Sequence, residues 1–213
     1  MIGRPAQYRL FWQEFRRTFQ STGAILPSGR PLCKALARYA AQRPGPRRIL
    51  EAGPGTGVVT DVLINRLEPG DTLDLVEVND RFVAALRHRL TTDDAWRRRT
   101  DQVRIHHLPI EELTPREPYD AIVSGLPLNN FTPELASKLL QHLGGIAGAG
   151  ATLSFFEYVG VRKAKALLAS QAERRRLAGV EQALAEALSG REFARDFVLA
   201  NVPPAWVHHL RFE

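Results

Sequence analysis

The sequence is poor in sulfur and has no long apolar run: it contains one cysteine and one methionine in 213 residues. A single thiol, Cys33, allows neither an intrachain disulfide nor a cysteine metal cluster, which suits a reducing cytosol. No stretch of about 18 apolar residues occurs, so no membrane-spanning helix is expected. The first residues also lack the apolar core of roughly 7–15 residues that a signal peptide needs. No metal site is expected.

What is present is an ordinary soluble composition with an excess of basic residues. Hydrophobic residues make up 44% of the chain and charged residues 24%, and the length suits one domain with an appendage. The net charge is +6 and the pI is near 10. That excess fits either an arginine-rich solvated surface or an anionic partner, which would be nucleic acid or an acidic membrane surface.

Apolar runs and helical patterns alternate along the chain after the break "RPGPRR". The patterns predict strands at Ile49–Ala52, Leu73–Val78, Val103–His107, Tyr119–Ser124, Thr152–Tyr158, Phe193–Ala200 and Trp206–Phe212. They predict helices at 5–20, 27–42 (N-cap Ser28), Val58–Leu67, Asp80–Leu90 (N-cap Asn79), Pro133–Ile146 and 161–189. Strands separated by helices form a parallel, doubly wound sheet, and the final hairpin adds an antiparallel strand at one edge.

A glycine-rich loop follows the first predicted strand. "LEAGPGTG" has the spacing E-x-G-x-G-x-G, with Glu51 before Gly53, Gly55 and Gly57. Nicotinamide enzymes use G-x-G-x-x-G to seat a pyrophosphate, and a carboxylate beside the loop suits a cationic methionine group better. Glu77 ends the second strand in "LDLVEVND", where a carboxylate can accept hydrogen bonds from both ribose hydroxyls. The alternative for Glu77 is a strand-end carboxylate paired with Arg81.

Together these motifs resemble the class I S-adenosylmethionine-dependent methyltransferases over about residues 45–160. The resemblance implies a Rossmann-like, seven-stranded, mostly parallel sheet, with a methyltransferase domain at 45–213 behind an N-terminal helical segment at 1–44. It implies S-adenosylmethionine as cofactor and S-adenosylhomocysteine as product. The implied cofactor-binding residues are Glu51, Gly53, Gly55, Thr56, Gly57, Glu77, Val78, Pro109, Ile110 and Ser124. The third motif departs from the family, because "LPI" (108–110) replaces the aspartate that often binds the adenine amine. His106 and His107 are expected to be strand residues rather than catalysts.

The fourth strand ends in "SGLPLNNF". Nucleobase amino-methyltransferases carry [DN]-P-P-[YF] or N-L-P-Y there, and alignment on Pro127 gives Gly125-Leu126-Pro127-Leu128 instead. Both the side-chain acceptor and the stacking ring are missing, which disfavours an adenine in RNA as substrate. A carbonyl of Ser124 or Leu126 could still accept a hydrogen bond from an amine.

This motif, with "TGAILPSGRPL" and "NVPPAWVHHLRF", resembles the bacterial phospholipid N-methyltransferases and their ornithine-lipid relatives. The resemblance implies methylation of a lipid amine headgroup at an anionic membrane, with nucleic acid disfavoured as a partner. Ser124, Leu126 and Tyr158 are the predicted catalytic residues, and Arg30 is a candidate phosphate contact. The alternatives are an rRNA adenine or small-molecule amine methyltransferase, and a cofactor-binding protein without catalysis.

The N-terminal stretch has an aromatic face. In "RPAQYRLFWQEFRRTF" a helical projection places five aromatic residues within an arc of about 100°, beside arginines: Tyr8, Phe11, Trp12, Phe15 and Phe19. Aromatic rings favour the headgroup boundary and arginines favour anionic lipid, so peripheral association with the inner face of the membrane is predicted. The same face could instead dock on the domain as a lid.

Overall fold

A seven-stranded sheet forms the centre of the structure, a computed structural model that describes residues 29–128, 131–159 and 171–213. Its strands are β1 Arg48–Ala52, β2 Thr72–Glu77, β3 Val103–His107, β4 Tyr119–Ser124, β5 Ala147–Tyr158, β6 Glu192–Val198 and β7 Ala205–Arg211. Their order across the sheet is β3-β2-β1-β4-β5-β7-β6. β1 to β5 pair in parallel, and β7 runs antiparallel to both β5 and β6. The mostly parallel sheet predicted from the sequence is confirmed.

Helices cover both faces of this sheet. They are α1 Arg30–Leu36, α2 Val58–Ile64, α3 Asp80–Thr92, α4 Asp94–Arg97, α5 Pro133–Gly145 and α6 Gln171–Leu188, with 3-10 turns at Thr100–Gln102 and Ile110–Glu112. One apolar core lies between the sheet and α5 and α6, and includes Leu139, Phe155 and Val180. The other packs α1 and α2 on the opposite face, around Leu36 and Leu63. The arrangement is the two-sided α/β sandwich that a parallel sheet requires.

Capping residues set where two helices begin. The Asn79 side chain accepts hydrogen bonds from the amides of Arg81 (2.9 Å) and Phe82 (3.4 Å), which confirms Asn79 as the N-cap of α3. The N-cap of α1 is Gly29 rather than Ser28, because the helix starts at Arg30 and has Pro31 in its first turn. Ser28 itself lies outside the described residues.

The hairpin differs in detail from the sequence expectation. The antiparallel strand β7 lies between β5 and β6, so the edge strand is β6, which runs in the same direction as β5. β5 also begins earlier than predicted, at Ala147 in the glycine-rich stretch, with an irregularity in its pairing to β4 between Tyr119 and Ala121.

The described part of the predicted N-terminal segment belongs to the domain's core. Leu32, Cys33 and Leu36 of α1 are buried among the residues that pack under β1 and β7. The domain boundary near residue 45 stays a prediction.

Candidate active site

The strand order creates a crevice at the carboxyl edge of the sheet. β1 lies between β2 and β4, and Ala52 at its end is in register with Val76 on one side and Ser124 on the other. The connections after β1 and β4 leave to opposite faces, since α2 packs in one core and α5 in the other. Open α/β sheets bind ligands at such a reversal point.

The three glycines of the loop after β1 have different surroundings. All have positive φ angles, +73° at Gly53, +57° at Gly55 and +85° at Gly57. A Cβ at Gly53 would lie 2.7 Å from Leu126 Cδ2, and one at Gly57 would lie 2.8 Å from the Trp96 ring. A Cβ at Gly55 would meet nothing within 4 Å. Gly53 and Gly57 are therefore required by packing, whereas the backbone at Gly55 faces open space that a ligand can approach closely.

Glu77 is held against this loop. One of its carboxylate oxygens accepts a hydrogen bond from the Gly55 amide at 3.0 Å, and the other accepts from the amides of Val78 and Asn79, both at 2.9 Å. Among the described residues these amides, and not Arg81, are its hydrogen-bond partners. Burial raises the pKa of Glu77, while the amides and the nearby His107 oppose the shift. The oxygen that accepts from Gly55 keeps one lone pair for a hydroxyl donor, whereas the other oxygen already accepts two amide hydrogen bonds.

Glu51 is a buried carboxylate beneath the loop. It is 1% exposed, and the Thr60 hydroxyl donates a hydrogen bond to it at 2.7 Å. Burial raises its pKa to about 8, the Thr60 bond opposes the rise, and the negative charges of Asp61 and Glu77 add to it. A cation bound nearby would favour the ionised form. Thr60, on the first turns of α2, was not predicted to belong to the site, because its role appears only once the helix is placed over β1.

The fourth motif packs directly on the glycine loop. The Gly125 amide donates to the Ala52 carbonyl at 2.8 Å, and a Cβ at Gly125 would lie 2.6 Å from the Gly53 carbonyl oxygen. A side chain, including the asparagine of the base-binding motif, does not fit there without displacing the loop. Leu128, at the position of the stacking aromatic, is 2% exposed within the core. At Gly125 and Leu128, which the structure describes, there is therefore neither the amide acceptor nor the base platform.

The predicted acceptor residues lie at two neighbouring strand ends. Ser124 is fully buried at the end of β4, and Leu126 is buried against Gly53, with its carbonyl accepting from the Leu128 amide at 2.9 Å. Tyr158 ends β5, next to β4 in the sheet, and is half-buried, with its ring 5.1 Å from that of Phe156. Burial raises the pKa of Tyr158, so its hydroxyl stays protonated at neutral pH.

The remaining predicted contacts surround the same edge. Val78 and Pro109 are half-buried after β2 and β3, whereas Ile110 is buried in the core. Val78 and Pro109 are thus open to a ligand at this edge, whereas the Ile110 side chain is not, and the predicted adenine contact stays a prediction. Thr56 is exposed in the glycine-rich loop after β1.

The two histidines of β3 have carboxylate neighbours. His106 Nε2 lies 2.9 Å from Asp74 Oδ1, and the Tyr119 hydroxyl donates to the same carboxylate at 2.7 Å. His107 Nε2 lies 2.9 Å from Asp80 Oδ1. Both are strand residues, as the sequence predicted.

The predicted membrane residues are only partly described. Arg30 is exposed at the first position of α1. The five aromatic residues between Tyr8 and Phe19 lie outside the described residues, and their role stays a prediction. Among the described residues, no helix combines the length and apolar character needed to cross a membrane.

Comparison with known proteins identifies the fold. A scan against protein-family models and a search of curated proteins found no match. Solved structures do match. 1,6-Didemethyltoxoflavin-N1-methyltransferase from Burkholderia thailandensis, with bound S-adenosylhomocysteine, has a TM-score of 0.67 at 16% identity, over 100% of this chain and 92% of that one.

Two further matches differ in what they methylate. A protein assigned as an rRNA methylase from Clostridium thermocellum has a TM-score of 0.62 at 16% identity, over 88% of this chain and 99% of that one. The O-methyltransferase TomG from Streptomyces achromogenes, in complex with S-adenosylmethionine, has a TM-score of 0.60 at 20% identity, over 86% of this chain and 79% of that one. This chain has the class I methyltransferase fold, and that fold serves nitrogen and oxygen acceptors alike.

Proposed function

We propose that this protein is an S-adenosylmethionine-dependent methyltransferase. The observation that carries the proposal is the hydrogen bond from the Gly55 amide to the Glu77 carboxylate at 3.0 Å. The space beside Gly55 is open, because a Cβ there would have no neighbour within 4 Å. A carboxylate at that point suits a ribose diol, and the open loop lets the rest of the cofactor approach the backbone. Glu51, buried close to the loop, suits a cation. The methyltransferase fold of the structural neighbours supports the same cofactor.

For the acceptor we propose the amine headgroup of a membrane lipid, such as phosphatidylethanolamine, its methylated forms or ornithine lipid. Support comes from the sequence resemblance at "SGLPLNNF" and from the described positions Gly125 and Leu128, where the acceptor and ring that hold a base are absent. The net charge of +6 fits an anionic membrane. The same charge favours the second candidate, an rRNA or small-molecule methyltransferase.

The cofactor, when bound, supplies an electrophilic methyl group on a sulfonium. The chain's own residues then have three tasks. Glu77 would accept a hydrogen bond from the ribose, and an ionised Glu51 would stabilise the positive charge of the methionine end. The carbonyls of Ser124 and Leu126 accept hydrogen bonds from the amine and orient its lone pair, since only a neutral amine is nucleophilic and alignment contributes much of the rate.

Tyr158 has a defined role in this scheme. Because burial keeps its hydroxyl protonated, it acts as a hydrogen-bond donor to the headgroup and not as a base. The proton of the amine leaves to water.

The test is incubation with radiolabelled cofactor and separate pools of phosphatidylethanolamine, ornithine lipid and unmodified ribosomal RNA. Label in a lipid pool supports the proposal. Label in RNA alone would overturn the lipid acceptor and favour the second candidate, and no cofactor binding at all would overturn both.

A further inference from the structure

The connection between β6 and β7 exposes apolar side chains to solvent. Leu199 is 71% exposed and Val202 is 73% exposed, and residues 199–205, "LANVPPA", include no charged residue. We call residues 199–204 the hairpin tip. Phe197, just before it on β6, is 48% exposed. Single exposed apolar residues are common, but a cluster on one projection usually marks a contact surface.

The hairpin tip lies at the carboxyl edge of the sheet, beside the candidate active site. The Val159 amide donates to the Pro204 carbonyl at 2.7 Å, and Ala205 pairs with Tyr158 in the sheet. Val159 is itself 37% exposed, so it extends the apolar surface toward the end of β5. A partner that covers the tip therefore comes next to the residue proposed to contact the acceptor headgroup.

The surroundings of the hairpin tip are basic. The Gly29 amide donates to Asn201 Oδ1 at 2.9 Å, which joins the start of α1 to the tip and places the exposed Arg30 and Lys34 on the adjoining helix. The Arg195 guanidinium lies 4.5 Å from the Trp206 ring centroid at the base of the hairpin.

The acidic residues of this corner are less available. Asp196 is half-buried, with Arg38 at 2.6 Å and His209 at 3.2 Å, and Glu157 on β5 is also half-buried. An uncharged apolar projection next to exposed cations is complementary to a bilayer, whose headgroup boundary takes up apolar side chains and whose anionic lipids attract cations.

We propose that the hairpin tip inserts into the headgroup boundary of an anionic lipid bilayer, with Arg30 and Lys34 against the lipid phosphates. This contact turns the carboxyl edge of the sheet, and with it the candidate active site, toward the membrane. The functional reason for this contact rests on the lipid-acceptor proposal. The contact itself can be measured without any methyltransferase activity.

The experiment is flotation of the full-length chain with vesicles of phosphatidylcholine, with and without phosphatidylglycerol. The double variant Leu199→Gln/Val202→Gln should bind anionic vesicles at least about tenfold more weakly than wild type. Leu199→Trp, which enlarges the apolar surface with a ring suited to the interface, should bind more tightly. Arg30→Gln/Lys34→Gln should lose the preference for anionic vesicles while retaining the weaker binding to neutral ones.

Phe193→Gln is the matched control. Phe193 lies on the same edge strand and is 38% exposed, but it sits toward the opposite end of β6, where it packs on Tyr39. Its substitution should leave vesicle binding unchanged. A melting curve for each variant shows that the domain is folded.

Three results would overturn the inference. One is wild-type protein that does not float with anionic vesicles. Another is unchanged flotation of the double variant, as expected if another part of the chain carries the membrane binding. The third is a variant-dependent change of molecular mass in light scattering with unchanged vesicle binding, which would assign the tip to contact with a second copy of the chain. Labelling of RNA alone removes the lipid-acceptor proposal, whereas tip-dependent flotation supports the membrane contact whichever acceptor is labelled.

Discussion

The Glu77 carboxylate accepts a hydrogen bond from the Gly55 amide, 22 positions earlier in the chain. This bond joins the ends of two neighbouring strands and fixes a carboxylate at the one glycine of the loop that faces open space. The two motifs found separately in the sequence are thus parts of one site.

The first prediction concerns cofactor affinity. Gly55→Val should weaken S-adenosylhomocysteine binding at least about tenfold, or roughly 1.4 kcal/mol, because the side chain occupies the open space and the φ of +57° disfavours it. Glu77→Ala should weaken it similarly by removing the ribose acceptor. Calorimetric titration measures both. Gly190→Val is the control, since Gly190 has a φ of +71°, no neighbour within 4 Å of its Cβ position, and lies outside the crevice. Wild-type affinity in both site variants would contradict the assignment.

The second prediction couples binding to protons. With its pKa raised to about 8, Glu51 is mostly protonated at pH 7, and a bound cation should drive its ionisation. Binding of S-adenosylmethionine should therefore release close to one proton at pH 7, and the affinity should rise with pH up to about 8. Calorimetry in buffers of different ionisation enthalpy measures this. Glu51→Gln should bind more weakly and release no proton, and equal proton release by the variant would refute the assignment.

The third prediction concerns the effect of the Glu51 carboxyl on the pH dependence of stability. Its pKa is higher in the folded than in the unfolded chain, so the unfolded state binds fewer protons between about pH 4.5 and 8, and stability falls as pH rises through that window. Glu51→Gln removes this fall in stability with rising pH, because glutamine does not ionise. The variant should thus gain melting temperature relative to wild type at pH 8, and gain less at pH 5. The opposite pH trend in a melting series would rule out a buried, reluctantly ionised Glu51.

The fourth prediction concerns RNA. Purified protein should leave unmodified ribosomal RNA unlabelled, because Gly125 and Leu128 replace the acceptor and the stacking ring. Gly125→Asn should not create the activity and should weaken cofactor binding, since its Cβ would lie 2.6 Å from the Gly53 carbonyl oxygen. Dimethyladenosine detected by mass spectrometry after reaction with the wild type would overturn this.

The fifth prediction separates stability from function. Arg47 and Asp71 form a buried pair at the amino edge of β1 and β2, with Nη2 2.5 Å from Oδ2, and this edge is opposite the crevice. Asp71→Ala leaves the buried Arg47 guanidinium with the more distant Glu68, 3.6 Å away, as its carboxylate partner, and should cost about 3 kcal/mol. Denaturant unfolding measures this loss. Cofactor affinity at a temperature where the variant is folded should stay within about twofold of wild type, and a larger drop would show that the two edges are coupled.

The sequence predicts the fold well because each strand is marked by its own apolar pattern and each helix by its spacing. It predicts Glu51 and Glu77 because glycine spacing and strand ends are local features. It does not predict the Thr60 contact, the approach of Gly125 to Gly53 or the packing of Trp96 on Gly57, since these depend on where α2, β4 and α4 come to lie. The sequence predicts the final hairpin but not the exposure of its tip, because only the structure shows that Leu199 and Val202 face solvent.

The position of β7 has a consequence for how the domain is completed. β7 follows the other six strands in sequence but has a neighbour on each side, so the sheet is not complete until residue 211 is available. A chain ending before it would leave β5 with an unpaired edge and β6 with no partner, which is the kind of exposed edge that promotes association between chains. During synthesis the residues up to Tyr158 thus emerge before β7, and until β7 pairs with β5 the edge of β5 stays open.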